Sequence, residues 1–194
     1  MKFEKNEVIK MVKIAICLLL ITAISTMLVA VVNEITREPI AQQRLMKVNQ
    51  AMGEVLPAER YEPVEIEGLG LEDIVLEVNT AYDKDNNCVG YCVKTAPAGY
   101  GGAIEMITGI DTQGLVTGVK IVTMSETAGL GTKTQEEPWL AQFEGKGSDV
   151  AVTTSVEPVE NEVSAVSGAT VSSKAVTKGV AAAINAANQV KGAA

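Results

Sequence analysis

A short stretch near the carboxyl end of the chain has residue types that could hold a phosphate. "SGAT" occupies residues 167–170, and an apolar periodic run that is typical of a helix follows it. Gly168 permits a tight turn, and Ser172 and Ser173 add hydroxyl donors. The first turn of a helix offers unpaired N–H groups and a positive dipole end, which favour a phosphate. An ordinary N-cap, the common use of Ser and Thr at this place, explains the same residues without a ligand.

Two glycine-containing loops are further candidates. "AGYGG" at 98–102 and "ETAGLG" at 126–131 are expected at the ends of neighbouring strands. Glycine allows a flat ligand to approach the backbone closely, although tight turns are its usual role. Glu126 is interpreted as a solvated carboxylate. Neither loop matches a Rossmann or P-loop motif, because "GYGGAI" lacks the third glycine and Lys133 falls one residue too late.

Composition restricts the chemistry further. The chain has no histidine, which excludes Ser-His-Asp and Cys-His catalysis, His-ligated haem and His-containing zinc sites. Cys88 and Cys92, if on one face of a strand, lie about 13 Å apart, too far for a disulfide. They are interpreted as small half-buried thiols or as contacts to a partner's redox centre. The net charge of −8 argues against a nucleic-acid partner, and no metal site is expected.

The elements that must position these loops form an α+β pattern. Short β-rich runs separated by turn residues predict an antiparallel meander. The runs are 74–82, 88–95, 103–110 and 115–124. A helix is predicted over about 171–190, and residues 58–73 look like a connector. The fold class is therefore a mainly antiparallel twisted sheet flanked by helices.

The amino-terminal third predicts a membrane anchor. Residues 14–32 are 19 residues without a charge, roughly the length that a helix needs to span the hydrocarbon. A signal peptide, the alternative, has an apolar core of about 7–15 residues and a cleavage site. Four lysines precede the span, so residues 1–13 are expected in the cytoplasm. The lysines are Lys2, Lys5, Lys10 and Lys13.

A juxtamembrane helix is predicted over 33–57. Thr36 is a candidate N-cap, Pro39 would lie in the first turn and Pro57 would end the helix. The alternative is that the helix continues from the membrane without a break. The remaining residues, 58–194, are expected to form an extracytoplasmic domain.

Taken together, the motifs resemble one family. A membrane span, "EITREPI", "GYGG", "ETAGLG" and then "SGATVSS" opening the last helix are similar to RnfG, a component of the Rnf electron-transport complex. NqrC, a component of the sodium-translocating NADH:quinone reductase, is a close relative of that family. The resemblance covers almost the whole chain. Ala128 stands where the family usually has Pro, and Ser164 stands where it usually has Asp.

This resemblance implies a covalent flavin. FMN would be joined through its phosphate to the hydroxyl of Thr170 by a flavin transferase that uses FAD. Trp139 would either flank the flavin or belong to the core. The residues implied to bind the cofactor are Ser167, Gly168, Ala169, Thr170, Ser173, Gly99, Tyr100, Gly101, Gly102, Glu126, Thr127, Gly129, Leu130 and Gly131.

The function implied is electron transfer without a catalytic residue in this chain. The protein would be a single-pass component of the bacterial cell membrane that relays electrons through FMN in an ion-translocating ferredoxin:NAD⁺ oxidoreductase. Its partners would be the membrane, iron–sulfur and flavin subunits of that complex. Two alternatives stay open: a component like NqrC of the quinone reductase, and a non-redox membrane-tethered binding or assembly protein.

Overall fold

The amino-terminal helix, α1, runs from Lys5 to Val55. It contains the predicted span and is long and apolar enough to cross a membrane. Thr36 does not cap a new helix, because its hydroxyl donates to the backbone oxygen of Val32 at 2.8 Å inside α1. Pro39 likewise lies within the helix. The span and the juxtamembrane helix are therefore one element.

The computed structural model describes residues 5–155 and 158–193. Residues 1–4 of the expected cytoplasmic segment, including Lys2, lie outside the described residues. The chain forms two compact units, Met1–Met46 and Lys47–Ala194. The second unit thus begins before residue 58, the expected domain boundary, because it includes the last turns of α1.

A five-stranded antiparallel sheet is the centre of the second unit. Its strands follow the order β1-β2-β3-β4-β5, which confirms the predicted meander. They are β1 (Arg60–Val64), β2 (Val75–Tyr82), β3 (Cys88–Thr95), β4 (Glu105–Asp111) and β5 (Val116–Thr123). The interpretation of residues 58–73 as a connector is wrong in part, since β1 pairs with β2 there. Pro63 fits this position because β1 is an edge strand, where a missing N–H is tolerated.

The final helix, α3 (Thr170–Ala193), covers one face of the sheet. Its buried Val176, Val180 and Ile184 belong to the same apolar cluster as Val93 and Met106 of the sheet. Shorter elements complete the unit. They are a 3₁₀ turn (Gly131–Gln135), α2 (Glu137–Leu140), a second 3₁₀ turn (Ala141–Phe143), and the parallel strands β6 (Ala151–Thr153) and β7 (Glu162–Ser164).

The last turns of α1 cover the opposite face. Ala51, Met52, Val55 and Leu56 are buried against Ala81, Cys92 and Ile107. Glycines allow this close approach: a Cβ at Gly109 would lie 2.6 Å from the oxygen of Val55. The hydroxyl of Thr117 also donates to that oxygen at 2.6 Å.

The two β3 cysteines do not share a face, contrary to the expectation for a regular strand. The pairing of β3 with β2 shifts between Tyr82↔Cys88 and Ala81↔Gly90, which marks a β-bulge. Cys92 is consequently buried beneath Met52. Cys88 is exposed and lines a surface pocket together with Tyr91. Both thiols are free.

Candidate functional site

A tight turn places Thr170 at the start of α3. The N–H of Ala169 donates to the oxygen of Val166 at 2.9 Å, and Gly168 has a φ of +76°, as the third residue of a type II turn requires. The N–H of Ser173 makes the first helical bond, to the oxygen of Ala169 at 2.9 Å. Ala169 is therefore the N-cap, and it has no side-chain oxygen with which to cap. The alternative of an ordinary Ser or Thr cap is therefore contradicted, whereas α3 does begin at Thr170. The N–H groups of residues 170–172 precede the first helical bond.

The hydroxyl groups around this turn differ in their engagement. Ser173 is fully buried; its hydroxyl donates to the oxygen of Ala169 and accepts from the N–H of Val166, both at 3.0 Å. The hydroxyl of Ser172 donates to Glu126 at 2.6 Å. Thr170 is half-buried, Ser167 is exposed, and neither hydroxyl makes a hydrogen bond within the described residues. Thr170 therefore has the more enclosed of the two unengaged hydroxyls.

Glu126 joins the three predicted segments. Its Oε1 accepts hydrogen bonds from the backbone N–H groups of Tyr100 at 2.9 Å and Gly101 at 3.0 Å. Its Oε2 accepts the hydrogen bond from Ser172 of α3. The interpretation of Glu126 as a solvated carboxylate is wrong: the residue is 9% exposed. Sequence reasoning missed this role because the partners are 25 to 46 residues away.

The glycines of the two loops make room for this carboxylate and for the turns. A Cβ at Gly131 would lie 2.6 Å from Oε2 of Glu126, and a Cβ at Gly99 would overlap Oε1. Gly129 has a φ of +77° in the turn from Thr127 to Leu130. The N–H of Gly99 donates to the oxygen of Gly102 at 2.7 Å, which closes the other loop. Several of these glycines thus shape the site without lining it.

The three segments enclose a cavity of about 510 Å³, a size typical of sites for small molecules and cofactors. Its lining residues are Tyr100, Glu126, Thr127, Leu130, Gly131, Gly168, Ala169, Thr170, Val171 and Ser172. Eight of these were predicted; Val171 was not, and Ser172 was noted only as a hydroxyl donor. The predicted Ser167, Ser173, Gly99, Gly101, Gly102 and Gly129 lie outside the lining.

Apolar side chains stand exposed around the cavity. Tyr100 is 77% exposed, Val171 53% and Leu130 46%. Such residues beside the unengaged hydroxyl of Thr170 suit a ligand with a flat apolar part and a polar end. The first-turn N–H groups of α3 supply donors for an anionic end. The residues present therefore fit a flavin phosphate.

Trp139 belongs to the core rather than to this cavity. It is 8% exposed, its ring meets that of Phe143 edge-to-face with centroids 5.3 Å apart, and its N–H donates to the oxygen of Ser164 at 2.7 Å. Ser164 lies in β7, where its own hydroxyl donates to the oxygen of Ser155. Within residues 5–155 and 158–193 no cluster of potential metal ligands is found.

Two family models match the chain. An FMN-binding domain matches residues 99–185, and an RnfG N-terminal region matches residues 1–55. All the cavity-lining residues lie within the first match. The chain therefore carries an FMN-binding domain.

Curated relatives and solved structures agree with these matches. The RnfG-type component of the Na⁺-translocating ferredoxin:NAD⁺ oxidoreductase complex of Acetobacterium woodii is 35% identical over 182 residues, 87% of each chain. Its counterpart in the proton-translocating complex of Clostridium ljungdahlii is 32% identical, over 83% of each. The fold resembles the NqrC-type component of the Na⁺-translocating NADH-quinone reductase of Parabacteroides distasonis, with a TM-score of 0.57, 18% identity, and coverage of 76% of this chain and 94% of that one. The chain belongs to the RnfG family of the Rnf ion-translocating oxidoreductase complexes.

Proposed function

We propose that this chain is the membrane-anchored flavoprotein component that relays electrons in an Rnf-type ferredoxin:NAD⁺ oxidoreductase. The observation that carries the proposal is the cavity that brings Thr170, the start of α3 and both glycine loops together. FMN bound there would supply reversible electron acceptance, for which the side chains of this protein offer few groups of their own. The protein contributes binding, orientation and electrostatics. It does not carry the complete oxidoreductase activity alone.

The flavin is attached at Thr170 in this proposal. A flavin transferase would move the FMN phosphoryl group of FAD to Oγ1 of Thr170, with loss of the hydroxyl proton and release of AMP. Two features support Thr170 as the acceptor: its hydroxyl is unengaged within the described residues, and it lines the cavity. The hydroxyls of Ser172 and Ser173 already donate to other groups. The N–H groups of the first turn of α3 would then hold the phosphate.

The side chains around the cavity have separate roles. Leu130, Val171 and Tyr100 would cover the apolar ring and exclude water from it. The remaining predicted residues, Ser167, Ser173, Gly99, Gly101, Gly102 and Gly129, would act by shaping the turns. Glu126 would hold the segments together.

The attachment is tested by the intact mass of the purified full-length chain. Co-expression with a flavin transferase is expected to add the mass of one FMN less one water, and the band should fluoresce in a denaturing gel. Thr170→Ala should lose both signals, whereas Thr170→Ser, which keeps a hydroxyl, should retain them at least in part. Thr112→Ala, at an exposed threonine outside the cavity lining, is the matched control and should be modified normally. A mass increase that survives Thr170→Ala would refute the attachment site.

The lysines before the span support a proposed topology, and the family supports other Rnf subunits as partners. The amino terminus would be cytoplasmic and the flavin domain extracytoplasmic in a bacterial cell membrane, with other Rnf subunits as partners. The names of the two relatives specify different coupling ions, Na⁺ and the proton, and the proposed electron relay is compatible with either. A reporter enzyme that works only outside the cytoplasm should be active when it is fused after the last residue. A reporter that works only in the cytoplasm should be inactive at the same position.

The alternatives make different predictions. A role like that of NqrC in the quinone reductase would place the gene among quinone-reductase genes, without ferredoxin-like subunits beside it. A non-redox tether would be colourless and non-fluorescent when purified from its native host.

A further inference from the structure

Glu126 is a buried charge held by hydrogen bonds rather than by a cation. The groups that bond it are two backbone N–H groups and one hydroxyl, all donors, which is the environment of an ionised carboxylate. None of the ion pairs formed by the described residues includes Glu126. Its charge is therefore not neutralised by a neighbouring basic side chain in that part of the chain.

The carboxylate also lines the cavity that contains Thr170. A buried charge acts on its neighbours more strongly than a charge in water does, and Glu126 is only 9% exposed. Each electron that enters a flavin in this cavity adds negative charge unless a proton follows it. A fixed carboxylate beside the cavity therefore opposes reduction.

We infer that Glu126 is a positioning residue whose negative charge holds the reduction potential of the bound flavin low. Its three hydrogen bonds fix the charge and join both loops to α3. This inference rests on the proposed function, since it needs a flavin in the cavity. It assigns Glu126 a role that does not depend on direct contact with the ring.

Two variants separate the charge from the hydrogen bonds. Glu126→Gln removes the charge, yet its amide oxygen can still accept from the N–H groups of Tyr100 and Gly101, and its NH₂ group can donate to the hydroxyl of Ser172. Ser172→Ala does the reverse: it keeps the charge and removes the bond to Oε2. A purely structural role would make the two variants behave alike.

The experiment is a spectroelectrochemical titration of the full-length, flavin-loaded protein in detergent, after intact mass has established that flavin is attached. Glu126→Gln is expected to shift the equilibrium toward the reduced flavin about tenfold, which for a two-electron couple raises the midpoint potential by about 30 mV. Ser172→Ala should lower the potential, because one donor that compensates the carboxylate is lost.

The outcomes are distinct. A flavin-loaded Glu126→Gln protein with an unchanged or lower potential would overturn the inference while leaving the proposed function intact. Absence of flavin from the wild-type protein would instead refute the proposed function. If Glu126→Gln does not fold, Ser172→Ala decides: a lowered potential supports the role of the charge, and an unchanged or raised potential overturns it.

Discussion

At Gly179, in the middle of α3, helix propensity favours alanine whereas packing favours glycine. Alanine is a better helix former than glycine by about 1 kcal/mol. A Cβ at Gly179, however, would overlap the terminal methyl of Met106 and lie 2.9 Å from the Pro97 ring and 3.0 Å from the hydroxyl of Thr95. Met106 and Thr95 are fully buried, so neither can move aside into solvent. Packing should therefore outweigh helix propensity, so that Gly179→Ala lowers the stability of the protein.

The size of the stability loss follows from the packing cost and the gain in helix propensity. Overpacking a core costs about 1–3 kcal/mol, and three crowded neighbours place Gly179→Ala in the upper part of that range. After the gain in helix propensity, the free energy of unfolding should fall by about 1–2 kcal/mol. For a chain of this length, this lowers the melting temperature by about 2–8 °C.

Gly53 provides a matched control in α1, because a Cβ there would meet nothing within 4 Å. Gly53→Ala should raise the melting temperature by up to about 4 °C through helix propensity alone. Both variants are measured by thermal unfolding of the full-length protein in detergent, followed by circular dichroism. A Gly179→Ala protein as stable as the wild type would refute the packing argument.

Two further predictions concern buried groups of the sheet. The hydroxyl of Thr108 is buried without a hydrogen-bond partner in the described part of the chain, so Thr108→Val, of similar shape, should raise the free energy of unfolding by about 1 kcal/mol; a loss of stability in a denaturant titration would show that the hydroxyl is bonded. Burial raises the pKa of Cys92 to about 12. In a Cys17→Ser background at pH 8, iodoacetamide should therefore label the exposed Cys88 and spare Cys92, as peptide mass mapping would reveal; equal labelling would contradict the burial.

Local signals explain which elements could be predicted from the sequence. The four long strands alternate with turn clusters, and the apolar spacing of α3 continues for several turns. β1 has no such signal, because its residues do not alternate clearly between apolar and polar and its Pro63 disfavours a strand. It forms because β2 offers it an edge. The bulge near Cys88 likewise depends on pairing with β2 rather than on local composition.

The candidate site, like the fold, could be predicted from the sequence only in part. The residue types of "SGAT" and the two glycine loops indicated where a phosphate and a flat ligand could bind, but left an ordinary cap and ordinary turns open. The family resemblance, not the spacing, supplied the flavin. The burial of Glu126 could not be predicted, because its bonding partners come from distant parts of the chain. Only the folded chain brings them together.

The docking of the α1 end on the sheet also affects how a soluble fragment should be designed. A fragment that starts after Pro57 would lack Ala51, Met52, Val55 and Leu56, and would expose Ala81, Cys92 and Ile107 to water. The glycines beneath them have no side chains that could shield the bare surface, so such a fragment would tend to self-associate. A fragment that starts at Lys47 keeps this cover and omits the most apolar part of the anchor. The first residue of a soluble fragment should therefore lie inside α1, about two and a half turns before the end of that helix.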